Sequence, residues 1–152
     1  MIEEKKKIFF GRSKSRVLSK SKKFFYVNHK NDFLVNFEQI KLVKDKNFIL
    51  EIGFGLGENL LFQATKHPEN YFIGIDPFIN GVANVVQIAK ELNLNNISIL
   101  DTPVQKVLDN FSDNFFSKVF VLFPDPWMKN KQKKKKTIEL FIFRKNFKKN
   151  EN

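Results

Sequence analysis

The spacing of apolar residues changes period along this chain. Val82, Val85, Val86, Ala89 and Leu92 recur at intervals of three and four, the clearest amphipathic helix in the sequence. Glu58 to Lys66 carries Leu60, Leu61 and Ala64 on one face and stops before Pro68, which predicts a short helix. Phe33, Leu34, Phe37 and Ile40 suggest another over residues 32–43, and Val104, Val107 and Leu108 a short one. Between these lie compact apolar runs: Asn47 to Ile52, Tyr71 to Asp76, Ile97 to Leu100 and Val119 to Phe123. Continuous apolar runs of this length, bounded by Gly, Pro or Asn, suit strands buried on both faces. Residues 1–30 show no clear period and read as a basic, partly mobile arm, and no internal repeat is present.

Strand and helix alternate four times at spacings of roughly 20 to 25 residues. Parallel strands need crossovers of that length, so the expected fold is α/β, a doubly wound, mostly parallel sheet covered by helices. The expected organisation is a basic arm over 1–30, a core over 31–138 and a basic polar tail over 139–152. In such sheets ligands sit beyond the carboxyl ends of the strands, which directs attention to the residues after Ile52, Ile75, Leu100 and Phe123.

Composition narrows the class. At 152 residues and 42% apolar, the chain has one domain's worth of core-forming material. The absence of cysteine excludes a disulfide framework and thiolate zinc sites, and only His29 and His67 are available as imidazole ligands, so no metal is expected. The longest stretch without a charge, Pro77 to Ala89, is 13 residues, too short to span a bilayer as a helix. The N-terminus lacks the apolar segment of a secretory signal, so a cytoplasmic protein without membrane association is expected.

Charge is strongly segregated. The net charge is +11, yet residues 31–128 hold seven basic and twelve acidic residues, a net −5. Residues 5–30 hold ten Lys/Arg and no acid, and residues 129–149 hold ten with one acid. Basic ends around an acidic centre suit a polyanion held by the ends while chemistry proceeds between them. A/T-rich codons, which also favour the frequent Asn and Phe, are the alternative source of so many lysines.

The strand ends carry the candidate chemistry. After the first strand comes Glu51-Ile52-Gly53-Phe54-Gly55-Leu56-Gly57-Glu58. Its alternating glycines allow close backbone approach to a ligand, and equally allow a plain strand-to-helix turn. The spacing matches neither the dinucleotide fingerprint nor a P-loop, and the preceding acid would attract a cation and repel a pyrophosphate. Asp76 ends the second strand, where a carboxylate can accept both ribose hydroxyls or cap the next helix. Asp101 follows the third strand, placed to accept from an adenine amino group or to cap a helix. The fourth strand runs into Phe123-Pro124-Asp125-Pro126-Trp127-Met128-Lys129. The two prolines present Asp125 rigidly, and Trp127 offers a stacking surface for a base or a cover for the sheet edge. The lysine-rich run 129–136 abuts that mouth, which favours phosphate contact over mere solvated surface.

These residues resemble the bacterial tRNA (guanine-N7-)-methyltransferases, which use S-adenosylmethionine. The resemblance covers roughly 48–138 and rests on Leu50 to Glu58, Phe72 to Val82, and the Phe123-Pro124-Asp125-Pro126-Trp127-x-Lys129 signature. Phe10-Gly11-Arg12 is similar to the family's arm. The resemblance implies a Rossmann-like class I methyltransferase core that modifies a variable-loop guanosine of tRNA. It implies cofactor contacts from Glu51, Asp76 and Asp125, a catalytic role for Asp125, and a substrate contact from Lys129; the residues themselves add Gly53 and Gly55 to the cofactor site and Trp127 to the substrate site. The family's acid after strand three aligns at Pro103, with Asp101 two residues earlier as the candidate. The partner implied is tRNA, and a monomer is expected.

Members of that family continue for several more strands, whereas residues 137–152 read as one short amphipathic piece and a polar tail. The expectation is therefore a C-terminally truncated or frame-shifted product with an unpaired sheet edge. The competing readings are an inactive fragment acting as a basic RNA-binding module, and a methyltransferase of another substrate.

Overall fold

The computed structural model describes residues 17–121. Four strands form one parallel sheet: β1 (Asn47–Ile52), β2 (Asn70–Ile75), β3 (Ile97–Leu100) and β4 (Lys118–Phe120). Their order is β3-β2-β1-β4. The chain steps outward from β1 to β3 and then returns to the other side of β1. The point of reversal lies between β1 and β4, where Glu51 is paired with Phe120. Ligands of such sheets bind in the crevice at that reversal.

Helices α1 (Lys20–Phe33), α3 (Glu58–Lys66) and α4 (Ile79–Glu91) contribute to the core on one face of the sheet. There Ile49, Phe72, Ile97 and Ile99 meet Leu60, Leu61 and Ala64 of α3 and Val82, Val85, Val86 and Ala89 of α4. On the other face Leu50, Ile52, Ile73, Ile75 and Leu100 pack against Ile40 of α2 (Phe37–Lys41), Val104, Phe111 and Phe116. The rings of Phe111 and Phe116 lie 4.7 Å apart, and Phe48 stacks on Phe115 at 4.6 Å. Both faces are covered, as the near-continuous apolar strands require.

The boundaries differ from the periodicity in informative ways. Residues 20–33, most of them assigned above to a mobile arm, form α1. Its Phe33 is buried, and Tyr26 packs against the same core. So few inward side chains leave little period among so many lysines. The single helix expected over 32–43 is split in two. Leu34 is extended and bridges Ile99, and Asn36 then starts α2 with a capping box to Gln39. Residues 104–110 form two 3-10 turns rather than one short helix. The strand expected at Val119 to Phe123 starts one residue earlier, at Lys118, and ends at Phe120 before Val121; residues 122 and 123 lie outside the described residues.

Asn96 ties these layers together from a buried position. Its Nδ2 donates to the carbonyl oxygens of Ala64 (2.9 Å), Asn70 (3.2 Å) and His67 (3.3 Å). One amide thus holds the end of α3, the start of β2 and the approach to β3. Asn96→Ala is expected to cost about 1–3 kcal/mol by removing the donor these carbonyls share, the His67 oxygen keeping the Asn70 N–H. Asn96→Asp should cost more, because it sets a carboxylate against three acceptors. Urea unfolding of both variants checks that order; equal stabilities would contradict it.

Candidate functional site

The site begins with the turn from β1 into α3. Gly53, Gly55 and Gly57 have φ of 69°, 59° and 82°, a left-handed region closed to most side chains. The Gly53 N–H still donates to the Ile75 carbonyl (2.8 Å), so the loop leaves the sheet only after that residue. A Cβ built on Gly53 or Gly55 meets no described atom within 4 Å, so among the described residues nothing packs against that side of the loop backbone.

Asp76 holds this loop in place. Its Oδ2 accepts the Gly55 N–H at 2.8 Å and its Oδ1 accepts the Phe78 N–H at 2.9 Å. It does not cap α4: the residue at that position is Phe78, with no side-chain cap. Burial pushes the Asp76 carboxyl above its ordinary range, opposed by the bonds from Gly55 and Phe78. Each oxygen has spent one accepting position and keeps another, so the group can still receive two hydroxyls.

Glu51 pairs with Gly74, two residues before Asp76, on the strand face that meets α3. It is buried, and its Oε2 accepts from Asn59 Nδ2 at 2.9 Å. Burial raises its carboxyl above the usual range, with the Asn59 bond opposing. Asp101 follows β3 and is exposed. The Asp76 N–H donates to the Leu100 carbonyl (3.2 Å), so the ends of β2 and β3 are adjacent and Asp76 and Asp101 follow neighbouring strands. Glu51, Gly53, Gly55, Asp76 and Asp101 therefore gather along the carboxyl edge of the sheet. Asp125, Trp127 and Lys129 lie outside the described residues.

Two further residues shape the loop and escaped the sequence reading. Gly81, in the first turn of α4, lies so close to the Gly55 carbonyl that a Cβ there would overlap it. Asn84, one turn later, donates Nδ2 to the Leu56 carbonyl at 2.8 Å. A glycine three residues into a helix that costs stability relative to alanine was the available signal. Among the described residues no helix is long and apolar enough to cross a membrane. No group of three or more His, Asp or Glu among them can hold a metal ion.

Two outcomes follow. Gly81→Ala must displace backbone rather than a flexible side-chain end, so it should both destabilise the fold and perturb the Gly55 amide resonance; an unmoved resonance would contradict the contact. The folded carboxyls of Glu51 and Asp76 titrate above their unfolded values, so each binds more protons when folded. Their contribution to stability is present at low pH and is lost as pH rises from about 4 through the folded values. Glu51→Gln keeps an acceptor for Asn59 and should flatten that fall in a pH series of melting temperatures.

The comparisons agree with this architecture. A family described as "Putative methyltransferase" matches residues 45–145. A bifunctional methyltransferase of Rickettsia felis is 44% identical over 66% of this chain and 19% of its own. A tRNA (guanine-N(7)-)-methyltransferase of Caulobacter vibrioides is 38% identical over 68% of this chain and 46% of its own. The same-named protein of Neorickettsia sennetsu is 32% identical over 73% of this chain and 51% of its own. The chain thus spans between about a fifth and a half of the length of these relatives. The structure of an antibiotic-related methyltransferase superposes with a TM-score of 0.55 at 17% identity, covering 76% of this chain and 62% of that one, which shows a shared Rossmann-like fold. With its parallel sheet, its glycine loop and a family match over two thirds of its length, the chain belongs to this methyltransferase family.

Proposed function

We propose that the chain carries the cofactor-binding half of an S-adenosylmethionine-dependent methyltransferase that acts on N7 of a guanine in tRNA. The observation that carries the reading is the Asp76 carboxylate, bonded to the backbone of the glycine loop that leaves β1, the strand at the sheet's point of reversal. The names of the relatives from Caulobacter vibrioides and Neorickettsia sennetsu support the choice of substrate.

The residues present suit the cofactor. Gly53 and Gly55 leave space against their backbone for a flat, extended ligand. Asp76 would accept ribose hydroxyls with its remaining positions, and Asp101 an adenine amino group. Glu51 adds negative potential beneath the loop, which favours a cation. S-adenosylmethionine, when bound, supplies a methyl group on a cationic sulfur. Guanine N7 presents a lone pair and no proton, so no general base is needed to make the nucleophile. The protein's task is then to align N7 with the methyl carbon and to stabilise the charge that moves onto the purine. Asp125 is assigned to that task, Trp127 to stacking on the base and Lys129 to tRNA contact. These three roles rest on the Pro-Asp-Pro-Trp motif. The basic ends would hold the tRNA backbone.

Calorimetric titration of S-adenosylmethionine into the 152-residue chain tests the reading. Saturable binding is expected, at least ten-fold weaker in Asp76→Ala. It should weaken as pH falls from neutral, because the raised Asp76 carboxyl takes up a proton. With the cofactor bound, methyl transfer to N7 of an unmodified tRNA should be lost in Asp125→Ala. A folded chain that binds RNA and ignores the cofactor would overturn the proposal.

A further inference from the structure

Helix α1 carries a charge pattern that its own fold does not use. Lys20, Lys22 and Lys23 sit in or beside its first turn, which holds no acid. The positive end of the helix macrodipole and the mutual repulsion of Lys20 and Lys23, three apart, both disfavour that arrangement. Local choices that oppose stability mark places where another requirement prevails.

The helix buries one side only. Phe33 is in the core, and Tyr26 packs against it. On the opposite side Lys20, Lys23, Phe24, Val27, Asn28 and Asn31 share one exposed face at helical spacing. Phe24 is 59% exposed and Val27 62%. The only carboxylate that α1 brings near that face is Asp32, four residues after Asn28 at its border. The one acid of α1, Asp32, is already engaged, with Lys90 Nζ at 3.0 Å and His29 Nδ1 at 3.5 Å. Lys30, seven residues after Lys23 at the border of this face, rests over the Tyr26 ring. The segment leading into α1 adds Lys5, Lys6, Lys7, Arg12, Lys14 and Arg16.

The helix also has a defined place in the fold, against α4 and β3. Ser21 Oγ accepts from Gln87 Nε2 of α4 (3.3 Å), Asp32 pairs with Lys90 of the same helix, and Leu34, directly after α1, bridges Ile99 of β3. We infer that the Lys20–Lys23–Phe24–Val27 face of α1 is a docking surface for RNA, with lysines on phosphates and Phe24 stacked against an unpaired base. This rests on the proposed tRNA substrate and assigns part of its docking surface to a folded helix. Exposed aromatics among cations are the usual composition of a single-strand stacking platform. A membrane-surface helix would need a continuous apolar stripe, whereas here Asn28 and Asn31 flank Phe24 and Val27.

The test uses the full chain and an unmodified tRNA transcript. In Lys20→Gln/Lys23→Gln the slope of log affinity against log salt should become shallower by about two. The melting temperature should hold or rise, because unfavourable charges leave the helix N-terminus. Phe24→Ala should weaken binding roughly ten-fold, more for a transcript with unpaired loops than for a plain duplex. Cofactor titration should be unchanged in both variants, which separates this inference from the proposed cofactor site. Salt slope and affinity unaltered in both variants would overturn the docking surface. Loss of binding to phosphatidylserine vesicles, with tRNA binding intact, would overturn it in favour of a membrane.

Discussion

The arrangement turns on one peptide unit, that of Gly55. Its N–H is taken by the Asp76 carboxylate and its carbonyl lies against the bare Cα of Gly81. The first contact joins the end of β2 to the loop after β1, and the second joins that loop to the first turn of α4. The alternating glycines alone would permit many backbone paths. These two contacts, with the Asn84 bond to the next carbonyl, select one. A side chain at residue 55 would be strained by its φ of 59°, and one at residue 81 would collide with backbone.

Electrostatics divides the molecule along the same lines. Glu51 and Asp76 are held where burial disfavours their ionised forms, and each is only partly compensated by neighbouring N–H groups. The lysines of α1 crowd the helix end that disfavours cations. Both arrangements cost stability in the isolated fold, and both would be relieved by a ligand of opposite charge. A cation beside the carboxylates and a polyanion across the lysines are the two ligands that this segregation suits. The overall charge of +11 hides that division, because the acidic centre is outnumbered by its ends.

Much of this was legible in the sequence where burial leaves a one-dimensional trace. β1, β2 and β3 are covered on both faces, so they read as near-continuous apolar runs with edges correct to a residue. α4 was equally plain, since its inner face packs along its whole length. α1 was not, because its contact with the core uses few side chains. The break at residues 34–36 was also hidden: Leu34 keeps the helical spacing of apolar residues while pairing with β3. At the site, the position of Asp76 followed from strand-end logic, but its bond to Gly55 did not. That bond and the Gly81 contact join residues more than twenty apart, and neither has a local pattern. The Asp125 motif was the most specific signal in the sequence and lies outside the described residues.

The most direct measurement follows the backbone amide resonances of Gly55 and Phe78 through a pH titration, with and without S-adenosylmethionine. Both amides should titrate with one shared midpoint, above the usual aspartate range, as the Asp76 carboxyl ionises. Adding the cofactor should move both resonances and lower that midpoint, because a cation favours the ionised form. A Gly55 amide that exchanges freely, ignores the titration and is unmoved by the cofactor would contradict the account at its base.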